Sequence, residues 1–101
     1  MAGPQAPAKE PDVVSEVRVS PPWRVILHND EVTTMDFVVQ LLVTLFAKPR
    51  EEAVTLMLLV HTTGCATVAV CAQERAELYV EQVRSLARAQ GFPLVATAEP
   101  T

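Results

Sequence analysis

Residues 49–61 constrain the fold most. Ala53, Val54, Leu56, Met57, Leu58, Leu59 and Val60 follow Pro49 and the pair Glu51/Glu52, interrupted only by Thr55. Proline suits the first position of a helix, where its missing N–H is not needed, and acidic residues favour the positive end of the helix dipole. The run therefore reads as a helix that starts at Pro49, ends near Val60 or His61 and turns out at Gly64. A helix this apolar around its circumference must be covered on most sides or must line a pocket. The chain has 101 residues, which suggests one domain, and half of them are apolar, enough to build a core.

The elements around that helix follow from period and punctuation. Trp23, Arg24, Val25, Ile26 and Leu27 read as a strand, nearly continuous in apolar residues and so either central in a sheet or covered by helices. Phe37, Val38, Leu41, Leu42 and Leu45 have helical spacing, which predicts a helix over about 35–46. Thr33 is the expected N-cap, with Asp36 at the capping-box position. Residues 65–71, small and β-branched, predict a second strand. A third helix is expected over 73–90, burying Ala76, Tyr79, Val80, Val83 and Ala87, until Gly91 and Pro93 stop it. Residues 94–98 predict a short last strand. The order is β-α-α-β-α-β, a small single-domain α/β (α+β) layer fold with one three-stranded sheet covered by helices. Five of the eight prolines fall in the first 22 residues, so residues 1–21 are expected to be a disordered tail and 22–101 the folded domain.

Composition excludes several partners. A net charge of −4 argues against nucleic acid, which needs a basic face. No apolar run reaches the roughly 20 residues of a membrane span, and the start does not read as a signal peptide. Cys65 and Cys71 lie in one predicted strand, roughly 20 Å apart and too far to bridge. Free thiols fit a reducing, cytoplasmic setting. Zinc-type Cys/His spacing is absent, and no metal or other cofactor is expected.

Two stretches carry the polar chemistry. His28-Asn29-Asp30-Glu31-Val32-Thr33-Thr34-Met35 sits between the first strand and the first helix, where rigid elements can hold polar groups toward a ligand. Met57 and His61 are four apart and project from one helix face. Each feature has a bland counterpart. Asn29-Asp30 suits a plain turn, Thr33 a helix cap, Met35 and Met57 a core, and His61 a helix end. A hydrolytic or metal site from Asp30, Glu31 and His61 lacks both a nucleophile and a second histidine at ligand spacing, so catalysis is not expected.

Taken together, Asn29-Asp30-Glu31, Thr33-Thr34-Met35-Asp36-Phe37-Val38, Met57-Leu58-Leu59-Val60-His61-Thr62-Thr63-Gly64 and Pro93-Leu94 resemble the ClpS family over roughly residues 23–99. These are adaptor proteins of the Clp protease system, with no catalytic activity of their own. The resemblance implies recognition of substrates that begin with a large apolar residue (Phe, Tyr, Trp or Leu; an N-degron). It implies their delivery to the N-terminal domain of a ClpA-type unfoldase by a monomeric adaptor. By matching position, Asn29, Asp30, Glu31 and His61 would hold the substrate's α-amino group. Thr33, Met35, Val38, Met57, Val60 and Leu94 would line the side-chain pocket, with Met35 at its gate. Glu74 would take part in docking to the unfoldase.

This chain departs from the family pattern at Glu31, where aspartate is usual, and at Tyr79, where a lysine is expected. Val68-Ala69 replaces a Cys-Gly pair. The alternative reading is a non-catalytic interaction module of similar fold, like the C-terminal domain of the ribosomal stalk protein L7/L12, binding another partner. Site residues rather than the fold separate the two.

Overall fold

The computed structural model describes residues 20–101. The expected tail therefore lies outside the described residues, apart from Ser20 and Pro21. Six elements follow in the predicted order: β1 (Trp23–His28), α1 (Met35–Thr44), α2 (Arg50–Thr63), β2 (Cys65–Cys71), α3 (Gln73–Ala89) and β3 (Val95–Pro100).

The strands form one antiparallel sheet in the order β2-β1-β3, which makes the apolar strand β1 central. Its register sets Leu27 against Ala66 and Ala96, and Val25 against Ala69 and Ala98. Between those rows the pairing with β2 skips Val68, which forms a bulge. The bulge lets Val68, at 2% exposure, and its neighbour Ala69 both face the core, while Val70 turns outward.

The inner face of the sheet is thus large in the centre and small at the edges. Small residues let a helix approach closely, and α3 lies there with Ala76, Val83 and Ala87 fully buried. The helices cover only this face. Arg24, Ile26 and His28 on the other side of β1 remain partly exposed, with Arg24 paired to Glu99 at 2.9 Å and His28 Nε2 sharing a hydrogen bond with Thr97 Oγ1 at 2.8 Å.

The second helix differs from expectation in extent, and of the two surroundings expected it has a pocket along Met57, Val60 and His61 rather than cover on most sides. Pro49 stands just before it as the cap residue, with an extended ψ of 151°, and the helix begins at Arg50 and runs to Thr63. Only Ala53, Met57 and Val60 are buried along it. Val54, Leu58 and Leu59 stay 36%, 47% and 44% exposed, so the apolar circumference is covered on one side rather than most. Among the described residues, α1 and the sheet edge pack against that side.

Aromatic contacts close the ends. Phe46, after α1, stacks on Tyr79 of α3 at 4.5 Å, and the Arg75 guanidinium lies 5.7 Å from the Tyr79 ring. Tyr79 is therefore a packing residue, which accounts for its place in the predicted buried stripe. Phe37 at the start of α1 meets Phe92 edge-on at 5.1 Å. That contact draws the connection after α3 under the start of α1.

Candidate functional site

The two polar stretches meet through the backbone. Gly64 adopts the left-handed conformation, φ 98°, and its N–H donates to Val60 O at 2.9 Å, ending α2. Its own carbonyl accepts the Asn29 N–H at 2.8 Å. The end of β1 is thereby fixed to the end of α2, and His61 in the last helical turn comes beside the 29–33 turn.

That turn is built by Asp30. Its Oδ1 accepts the N–H groups of Val32 (2.8 Å) and Thr33 (2.6 Å), and its Oδ2 accepts the Thr33 hydroxyl (2.8 Å). Burial pushes the Asp30 carboxyl up, but the hydrogen bonds from Thr33 and Val32 outweigh it and hold the group below its ordinary value. Thr33 was the expected N-cap; the structure gives that role to Thr34, whose Oγ1 accepts the Phe37 N–H at 3.1 Å. The helix begins at Met35, one residue later than a Thr33 cap requires, because Asp30 holds both the N–H and the hydroxyl of Thr33 in the preceding turn. The capping-box reading of Thr33 and Asp36 falls with it.

Turn and helices enclose a cavity of about 280 Å³. Val38, Met57 and Val60 form its floor, at 7%, 9% and 3% exposure, while Met35 stands at the mouth at 45%. Asn29, Asp30, Glu31, Thr33 and His61 supply the polar part of the wall. The volume lies just below the roughly 300–1,000 Å³ of small-molecule pockets, a size suited to one side chain.

The polar wall divides into two groups. Asp30 and Thr33 are satisfied by each other. Among the described residues, the side chains of Asn29, Glu31 and His61 have no hydrogen-bond partner. An amide oxygen, a carboxylate and an imidazole nitrogen are thus available as acceptors above an apolar hole.

Every wall residue belongs to the set named from sequence. Leu94 of that set does not reach the cavity. It is 2% exposed and lies toward Val80 and Arg84 of α3. Glu74 is also apart, exposed in the first turn of α3 beside Ser20 and Pro21. Among the described residues, no group of three His, Cys, Asp or Glu side chains could hold a metal ion, and Cys65 and Cys71 are free. No helix of the described residues is long and apolar enough to cross a membrane.

Comparison with known proteins gives this architecture its family. The sequence pattern of ClpS, the ATP-dependent Clp protease adaptor protein, matches residues 18–97. The chain belongs to the ClpS family. Among the relatives of this ClpS-family chain, the ATP-dependent Clp protease adapter protein ClpS of Oleidesulfovibrio alaskensis is 44% identical over 93 residues, which cover 90% of this chain and 89% of that protein. The corresponding protein of Desulforapulum autotrophicum is 49% identical over 79 residues, 78% of this chain and 76% of the relative. A solved structure of Agrobacterium tumefaciens ClpS2 bound to L-phenylalaninamide superposes with a TM-score of 0.78 at 32% identity, covering 80% of this chain and 98% of that one. The expected fold, one three-stranded sheet in the order β-α-α-β-α-β, is the ClpS fold, and the chain is a member of a family of protease adaptors.

Proposed function

We propose that this protein captures substrates with a free N-terminal Phe, Tyr, Trp or Leu and delivers them, as a monomeric and non-catalytic adaptor, to the N-terminal domain of a ClpA-like Clp ATPase. One observation carries the reading. Three side chains without partners among the described residues, Asn29, Glu31 and His61, border a cavity floored by Val38, Met57 and Val60. A protonated α-amino group offers three donors and matches three such acceptors. The side chain on the same Cα has an apolar hole beside it. The relative from Agrobacterium tumefaciens was solved with L-phenylalaninamide, a small molecule of that chemistry, which supports the assignment.

In this reading Asp30 has a different task from Glu31. Its two oxygens are committed to the turn, so it fixes the positions of Asn29 and Glu31 and adds negative potential to the amine site. Glu31 reaches one methylene further than the aspartate usual in the family and makes the direct ionic contact. Met35 gates the mouth with an adaptable thioether. Thr33 contributes through Asp30, and Leu94 acts as a core residue rather than as a pocket wall. Glu74, exposed and away from the cavity, takes part in unfoldase docking.

The energies suffice. Burying a Leu- or Phe-sized side chain contributes about 1.5–3 kcal/mol, and each well-shielded charge-assisted hydrogen bond about 1.5–3 kcal/mol. After ordering costs, micromolar or tighter binding follows for a flexible peptide.

The test is fluorescence anisotropy with four labelled peptides that differ only at the start: Phe, Leu, Ala and acetyl-Phe. Phe and Leu are expected to bind, and Ala and acetyl-Phe to fail. Equal binding of all four, or none, would overturn the proposal.

A further inference from the structure

Among the described residues, α2 carries a half-exposed apolar strip. Val54, Leu58 and His61 are spaced by four and three residues and share one face of the helix. Val54 and Leu58 are 36% and 47% exposed, and His61, at the end of the strip, lines the cavity. Leu58 therefore lies within one helical turn, about 5.4 Å of rise, of a residue at the mouth. A peptide whose first residue fills the cavity has its second Cα about 3.8 Å further on. The turn side of the mouth carries the polar groups of Asn29 and Glu31. The helix side, one turn back from His61, presents Leu58 and Val54, and the neighbouring hydroxyls of Thr55 and Thr62 are donated to carbonyls of their own helix.

We propose that Leu58, with Val54 behind it, reads the second residue of the substrate and favours an apolar side chain there. The inference rests on the proposed function and extends the same site by one position. Burial of a leucine side chain against a half-exposed leucine corresponds to a roughly fivefold gain in affinity over serine.

The experiment compares peptides beginning Phe-Leu, Phe-Ser and acetyl-Phe-Leu on the unmodified protein and on the Leu58→Gln, Leu58→Ser and Val32→Ser variants. Val32, 60% exposed in the turn, reports on the opposite lip. Circular dichroism melts establish that each variant is folded, and Leu58→Gln keeps a helix-favouring residue. Expected are the preference for Phe-Leu over Phe-Ser in the unmodified protein, its loss in both Leu58 variants with Phe-Ser binding unchanged, and its retention in Val32→Ser. Binding of Phe-Leu and Phe-Ser with equal affinity, a preference that survives at Leu58→Gln, or one lost instead at Val32→Ser overturns the second-residue assignment alone. Failure of every free Phe peptide, or binding of acetyl-Phe-Leu, overturns the underlying function with it.

Discussion

Asp30 and His61 line the same cavity but are held in opposite ways, and substitutions should separate them. Asp30 spends both carboxylate oxygens on its own turn. Its titration is depressed in the folded state, so its contribution to stability is present above the ordinary carboxylate value, roughly pH 4, and is lost as pH falls through the depressed value. Asp30→Asn should therefore lower stability by about 1 kcal/mol at neutral pH, the strength of charge-assisted hydrogen bonds discounted for partial exposure. Chemical denaturation at pH 7 and pH 2.5 tests this, since the difference between variant and parent should shrink at the acid end. A constant difference would assign the loss to shape rather than charge. His61 is exposed and has no partner among the described residues. His61→Ala should leave the melting temperature within a degree or two and weaken binding of a Phe peptide about tenfold. A collapsed circular dichroism spectrum would make His61 structural.

At the scale of elements, the site depends on how α2 ends. The left-handed residue Gly64 both stops the helix and presents the carbonyl that holds Asn29. A Cβ at Gly64 would meet no atom within 4 Å, so the cost of Gly64→Ala is that of the backbone conformation alone. That cost is about 1–2 kcal/mol, measurable as a shifted denaturation midpoint with an unchanged slope. Affinity for the Phe peptide should fall with it, because the tie from β1 to α2 is strained. Stability loss with intact binding would show that Asn29 is positioned without Gly64. At the other end of α1, Ala47 takes φ 55° without being glycine. Ala47→Gly should be stabilising by about 0.5 kcal/mol, the left-handed penalty less the added entropy of the unfolded chain.

The whole domain has one core. Val25 and Leu27 of β1, Leu41 and Leu42 of α1, Met57 of α2 and Val83 of α3 belong to a single buried cluster, with Trp23 packed against it. A domain with one core unfolds as one unit. The fluorescence of Trp23, the single tryptophan, and far-ultraviolet circular dichroism should therefore report the same denaturation midpoint. Separate midpoints would mean that the cavity side opens before the sheet. The acidic charge of the molecule and the carboxylate at its mouth also predict that peptide binding weakens above about pH 8, as the substrate amine loses its proton. An affinity unchanged up to pH 9.5 would count against an ionic contact to the amine.

The elements were legible because period and punctuation are local properties. The nearly continuous apolar run of β1, helical spacing in α1 and α3, and Gly64, Gly91 and Pro93 as stops act through neighbours in the chain. The residues around the cavity were also legible, since their spacing resembles one family's pattern. Tertiary structure decided what depends on competition and on what packs where. Thr33 and Thr34 are equivalent caps in sequence, and only the turn that Asp30 builds, which holds Thr33 and lets the helix begin at Met35, leaves the cap to Thr34. An apolar circumference on α2 says that burial is favourable, not that partners exist. The layer supplies them on one side and leaves Val54 and Leu58 in solvent. Leu94 was expected at the cavity, yet the Phe37–Phe92 contact and the end of α3 draw its segment into the core. Sequence determines which side chains can be buried; the three-dimensional fit determines which of them have something to be buried against.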